Sequence, residues 1–223
     1  METLLHKTSK VWIVRITIPV LALLLLNSFI STARVYHPPA PPVQDSTDID
    51  KMLHYYQKTT QDLKNSLHGL SEAQLHFNPG EGKWSIMQCF EHIILSEKMI
   101  FGMTKQELDK PIIPGDKDTL TQRDNEIVGS ITNRSHKFQA PDMLQPTGQY
   151  QSTKDAWKDF LSIRKEITEY IKNANIEDLR NHISKHPTGT ADGYQNLLFI
   201  AAHTERHILQ MEEVKTDPNF PKK

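Results

Sequence analysis

Two histidines, His203 and His207, stand four residues apart in the run Ala202-His203-Thr204-Glu205-Arg206-His207. On a helix that spacing puts both side chains on one face with Cβ atoms about 5 to 6 Å apart, so two imidazoles can reach one ion. Neutral imidazole is the commonest metal-ligating side chain, and a rigid helix supplies the pair without ordering a loop. The spacing alone also suits a surface pair or two hydrogen-bonded core residues. Glu205 does not complete a zinc-peptidase motif, where the glutamate directly follows the first histidine or directly precedes the last. It falls midway between the pair, on another side of the helix, which argues against a thermolysin-like protease.

A third histidine, His92, sits among Phe90, Ile93 and Ile94, with Glu91 beside it. In that apolar frame it can face inward, and helical bundles build metal sites from side chains that project into the core from facing helices. Three protein ligands leave a coordination position for water or substrate. A core histidine satisfied by ordinary hydrogen bonds is the other reading of His92. Gln88 and Ser96 lie one turn either side of it, while Asn196 and Gln210 share the face of the His203–His207 pair; these four either orient ligands or satisfy one another. Cys89 reads as a small core residue. Arg164 interrupts an apolar stripe, where it would bind a carboxylate substrate or pair with an acidic neighbour. His186, in a His-Pro-Thr-Gly turn, is placed to line the mouth of such a site, whereas His54, His68, His76 and His136 suggest only surface or local hydrogen bonding.

The elements that must position these groups are helical. After Ser46-Thr47-Asp48, a possible cap, Ile49, Leu53, Tyr56, Leu63, Leu67 and Leu70 recur at helical steps, predicting a first helix to about Leu70. Ser71 with Gln74, and Ser85 with Gln88, are capping-box patterns, the first for a short turn and the second for a helix from Ile86 to about Leu108. Between Pro111 and Tyr150 the prolines break the chain, with a short helix possible within 120–130. The segment reads as a long crossover that covers something, such as one end of a bundle. A third helix starts at Ser152 or Thr153 and ends near Asn173, and a fourth carries Tyr194 to Val214. No strand pattern competes with these helices.

The first 33 residues lie outside this fold. Lys7, Lys10 and Arg15 lead into an apolar run from Ile16 to Ile30, followed by the small residues Ser31-Thr32-Ala33. That is a targeting leader, either cleaved after Ala33 or kept as an anchor over residues 11–30. It places the remainder outside the cytoplasm, periplasmic or secreted. Pro38, Pro39, Pro41 and Pro42 make residues 34–45 an extended tether, and residues 46–223 form the folded domain. With a formal net charge of −1 there is no excess of cations to hold a polyphosphate backbone, so nucleic acid is not expected. With one cysteine there is no intramolecular disulfide.

Lys83-Trp84-Ser85-Ile86 opening the second helix, His92 two turns later, and Ala202 to Gln210 on the fourth together resemble the DinB-like metal-binding four-helix bundles, a family that includes bacterial damage-inducible proteins and thiol transferases. The resemblance covers most of the chain beyond the leader and rests on the order and spacing of short motifs. It implies an all-α four-helix bundle in which His92, His203 and His207 bind one divalent metal ion, nickel or zinc. The function it implies is a metal-dependent hydrolase of an unidentified small molecule. A thiol S-transferase and a non-catalytic metal-binding envelope module are the alternatives, and the leader disfavours the first because low-molecular-weight thiols are kept reduced in the cytosol. Membrane contact is expected only through the N-terminal segment, and a homodimer is left open.

Overall fold

Side-chain caps fix where three of the four long helices begin. The structure, a computed structural model, describes residues 46–113, 119–186 and 189–222, so the leader and the tether lie outside the described residues. The elements are α1 (Ser46–Leu67), α2 (Glu72–Leu75), α3 (Ile86–Leu108), α4 (Asp124–Thr132), a 3-10 turn (Asp142–Leu144), α5 (Thr153–Asn173), α6 (Ile176–Asn181), a hairpin of β1 (Ile183–His186) and β2 (Gly189–Asp192), and α7 (Gly193–Lys215). Both capping boxes form: Ser71 caps α2 with Gln74, and Ser85 caps α3, its Oγ accepting from Gln88 N at 3.2 Å while Gln88 Oε1 accepts from Ser85 N at 2.8 Å. Gln88 is thereby committed to the cap. Ser152 caps α5. A third box, Asp192 with Gln195, starts α7 directly from the end of β2.

The four long helices α1, α3, α5 and α7 form the bundle. Packing pairs α7 with α3 and α1, and α5 with α3 and α1, so the order around the bundle is α1, α7, α3, α5. The sequence-adjacent pairs α1/α3 and α5/α7 are therefore diagonal, and their links cross an end of the bundle. The long segment between α3 and α5 does not simply cap an end: α4 packs along the side of α7, and the 3-10 turn packs on α3.

Two apolar clusters fill the interior. One contains Leu63, Ile86, Phe90, Ile93, Ile94, Phe160 and Met211. The other contains Ile49, Met52, Tyr56, Phe101, Ile167, Ile171, Leu197 and Ile200. Arg164 lies between elements of both, with Nε donating to Glu97 at 2.8 and 2.9 Å, Nη1 to Thr59 Oγ1 at 2.9 Å and Nη2 to Thr204 Oγ1 at 2.7 Å. This settles the two readings of Arg164 in favour of an acidic neighbour. Arg180 ties three elements together, bonding Asp124 at the start of α4 and Asp192 at the cap of α7. Gly193 is required there, since a Cβ would meet Leu179 O at 2.9 Å and Leu108 Cδ2 at 2.7 Å.

The expectation of helices alone needs one correction. Ile183–His186 pairs antiparallel with Gly189–Asp192, in the register Ile183 opposite Asp192 and His186 opposite Gly189. Each strand has only four residues and little apolar alternation, so the period-two signal is absent. Among the described residues no helix is long and apolar enough to cross a membrane.

Candidate metal centre

His92 comes from the second turn of α3, His203 and His207 from the middle of α7, and these are adjacent helices of the bundle. The three rings converge, with centroids 4.5 Å apart for His92–His207 and His203–His207 and 5.2 Å for His92–His203. One ligand nitrogen from each lies within 4.8 Å of the others. His92 and His207 are 3 % and 5 % exposed, and His203 is the most exposed of the three. Trp84 covers the cluster, its ring 4.7 Å from His92 and 6.0 Å from His207, and Phe199 stacks on His203 at 5.8 Å.

The hydrogen bonds assign the nitrogens. His92 Nδ1 lies 2.8 Å from the carbonyl oxygen of Leu144, which can only accept, so Nδ1 carries the proton and Nε2 keeps its lone pair. Ser96 Oγ, 3.2 Å from that Nε2, is oriented to donate to it. His207 Nδ1 lies 3.0 Å from Gln210 Oε1, which likewise leaves Nε2 as the lone-pair nitrogen. His207 Nε2 and His203 Nε2 are 3.2 Å apart, so the two nitrogens face the same space.

This donor set fits a divalent ion. Nitrogens about 2.0 Å from a tetrahedral zinc ion are about 3.3 Å apart, close to the His203–His207 separation. Outer hydrogen bonds from the distal imidazole nitrogen to a carbonyl are the usual support of a metal-ligating histidine. All three rings are held neutral, as ligands must be. Burial lowers the pKa of His92 against the opposing Leu144 hydrogen bond, burial and the neighbouring His92 take His203 down to about 3, and burial with both neighbours depresses His207.

The other candidate residues divide clearly. Ser96 and Gln210 adjoin the cluster, whereas Gln88 serves the α3 cap. Asn196 instead bonds the hairpin, its Nδ2 donating to Ser184 Oγ at 2.7 Å and its Oδ1 accepting from His186 Nε2 at 2.9 Å. Cys89 is fully buried, and burial pushes its thiol up to about 12. Glu205 binds Tyr55 and Lys58 on α1, away from the histidines. Sequence reasoning missed Glu91 and Leu144, because their partners lie more than 50 positions away and form no pattern.

The fold and the cluster together define a histidine-bearing helical bundle. The chain belongs to the DinB superfamily, whose family model matches residues 55–211, a span holding all three histidines. It is similar to YuaE, an uncharacterized protein of Bacillus subtilis, at 27% identity over 158 residues, which cover 68% of this chain and 89% of YuaE. Among solved structures it is similar to YfiT from Bacillus subtilis, described as a probable metal-dependent hydrolase with an unusual four-helix bundle topology. That likeness has a TM-score of 0.53 at 13% identity, covering 80% of this chain and 91% of YfiT, and it speaks for the fold.

Proposed function

We propose that the domain is a metal-dependent hydrolase of a small molecule, with one divalent ion, nickel or zinc, held by His92, His203 and His207. The observation that carries this reading is the convergence of three neutral imidazoles, two of them with the distal nitrogen fixed by a hydrogen-bond acceptor. Such an ion supplies Lewis acidity and lowers the pKa of a bound water towards neutrality. The chain contributes the rest. Leu144 O and Gln210 orient the ligand rings, Trp84 excludes water from the buried flank, and the partly exposed edge at His203 and Phe199 admits substrate. The candidate ligand group among the described residues comprises three side chains, which favours an open coordination position over a closed structural site. The basic residues and apolar run of the first 33 positions, read as a leader, support an extracytoplasmic setting for this activity.

The test is elemental analysis of the full chain and of His203→Ala, together with hydrolysis of a panel of small activated esters and amides before and after chelation. One metal ion per chain, lost in His203→Ala, is expected, with hydrolysis that disappears on chelation and returns with zinc or nickel. Stoichiometric metal in His203→Ala overturns the ligand set. Hydrolysis indifferent to chelation overturns the assigned chemistry.

A further inference from the structure

Glu91 precedes His92 and is 2 % exposed, yet it is not in the ligand group. Its carboxylate is spent on one turn of the crossover. Oε1 accepts from Thr147 N at 2.7 Å and Thr147 Oγ1 at 3.1 Å, and Oε2 accepts from Gly148 N at 3.0 Å. Gly148 adopts φ 78°, a conformation that aims the two successive amides at the same carboxylate and that a side chain rarely tolerates. Three residues before Thr147, Leu144 is itself buried, and its carbonyl accepts the His92 Nδ1–H. Two adjacent residues of α3 thus hold opposite ends of the segment Leu144–Gly148. One holds it by a carboxylate, the other by the ring proposed to bind the ion.

We infer that Glu91 is a positioning residue of the metal centre. By fixing the Thr147-Gly148 turn it holds the Leu144 carbonyl where it keeps the His92 proton on Nδ1 and aims Nε2 at the ion. The inference rests on the reading of His92 as a ligand. Supporting partners of this kind are worth about 10- to 100-fold in metal affinity. The coupling is reciprocal: the factor by which the intact clamp strengthens metal binding is the factor by which metal binding stabilises the clamp.

The experiment measures Zn(II) affinity of the full chain by competition with a chromophoric chelator, and the visible spectrum of its Co(II) form. The variants are Glu91→Gln, Gly148→Ala, His92→Ala and, as a control in the other apolar cluster, Ile171→Val. Glu91→Gln removes the charge that both amides face. Gly148→Ala loosens the same turn without touching Glu91, because open space surrounds its Cβ position and only the backbone conformation opposes it. Both are expected to weaken Zn(II) binding about 10- to 100-fold and to shift the Co(II) bands. Ile171→Val should lower thermal stability and leave Zn(II) affinity and the Co(II) spectrum as in wild type. In wild type, Zn(II) should slow hydrogen exchange of the Thr147 and Gly148 amides by a comparable factor.

Wild-type affinity and spectrum in both clamp variants, with binding lost in His92→Ala, would overturn the clamp and leave His92 a ligand. Wild-type binding in His92→Ala would overturn the ligand reading and the inference with it. If Glu91→Gln does not fold, Gly148→Ala decides the matter alone.

Discussion

Arg164 and Glu97 form a buried ion pair across the bundle, from α5 to α3, with side chains 4% and 2% exposed. Thr59 and Thr204 complete the hydrogen bonding of the guanidinium, so neither charge is left to a partial network. Removing one member strands the other, at a cost of about 3 to 5 kcal/mol. Glu97→Gln should therefore lose about that much stability in urea unfolding of the metal-free chain. Replacing both residues together, as Glu97→Leu with Arg164→Met, should recover most of the loss. A Glu97→Gln variant as stable as wild type would mean that the pair is not buried in solution.

Metal should act as a folding ligand. A site assembled from two helices does not exist in the unfolded chain, so an ion at a hundred times its dissociation constant adds about 2.7 kcal/mol to the unfolding free energy. Thermal or urea unfolding of the full chain should shift progressively with Zn(II) concentration. The shift should vanish in His92→Ala and persist in His54→Ala. A concentration-independent midpoint in wild type would exclude a site of useful affinity.

Cys89 lies three residues from His92 but should be chemically silent. Burial raises its thiol pKa to about 12, leaving negligible thiolate at neutral pH, and the reactive species is the thiolate. A disulfide reagent at pH 8 should label the native chain only on the timescale of unfolding and label it at once in urea. Fast labelling of the folded protein would place Cys89 at the surface.

Asp124 provides a pH dependence with a definite sign. Burial raises its pKa, but hydrogen bonds from Arg180 and Gln195 outweigh that and hold the carboxyl below its ordinary value. The stability it contributes is present in full above the unfolded value of about 3.9 and is lost as pH falls through the folded one. Wild type should thus exceed Asp124→Asn in urea midpoint by a constant amount from pH 8 to 5, and the difference should shrink from about pH 4 downwards. A difference that grew on acidification would reverse the assignment.

The long helices were legible because local signals and core periodicity agree. Ser71, Ser85 and Ser152 mark helix starts, and the apolar spacing of Phe90, Ile93 and Ile94 or of Phe160, Ile167 and Ile171 continues them. The helix at Asp192 was less evident because its cap is also the last residue of a strand, and the hairpin itself has no alternation to read. His203 and His207 announce themselves by spacing, and His92 by its apolar surroundings. Glu91 has no such marker. Its meaning comes from two backbone amides at Thr147 and Gly148, donors that every sequence possesses and that only tertiary structure can aim.

The diagonal links of the bundle have a consequence for assembly. His92 and His203 are 111 positions apart, and α7 follows every other helix in sequence. Closing so long a loop is entropically slow to repay, so an ion bridging these side chains works as a reversible cross-link comparable in reach to a long-range disulfide. During synthesis the final ligands emerge only after α1, α3 and α5. Capture of the ion then becomes a late event that registers completion of the fold, and a chain stalled short of His203 should have no more than one of the three ligands to offer.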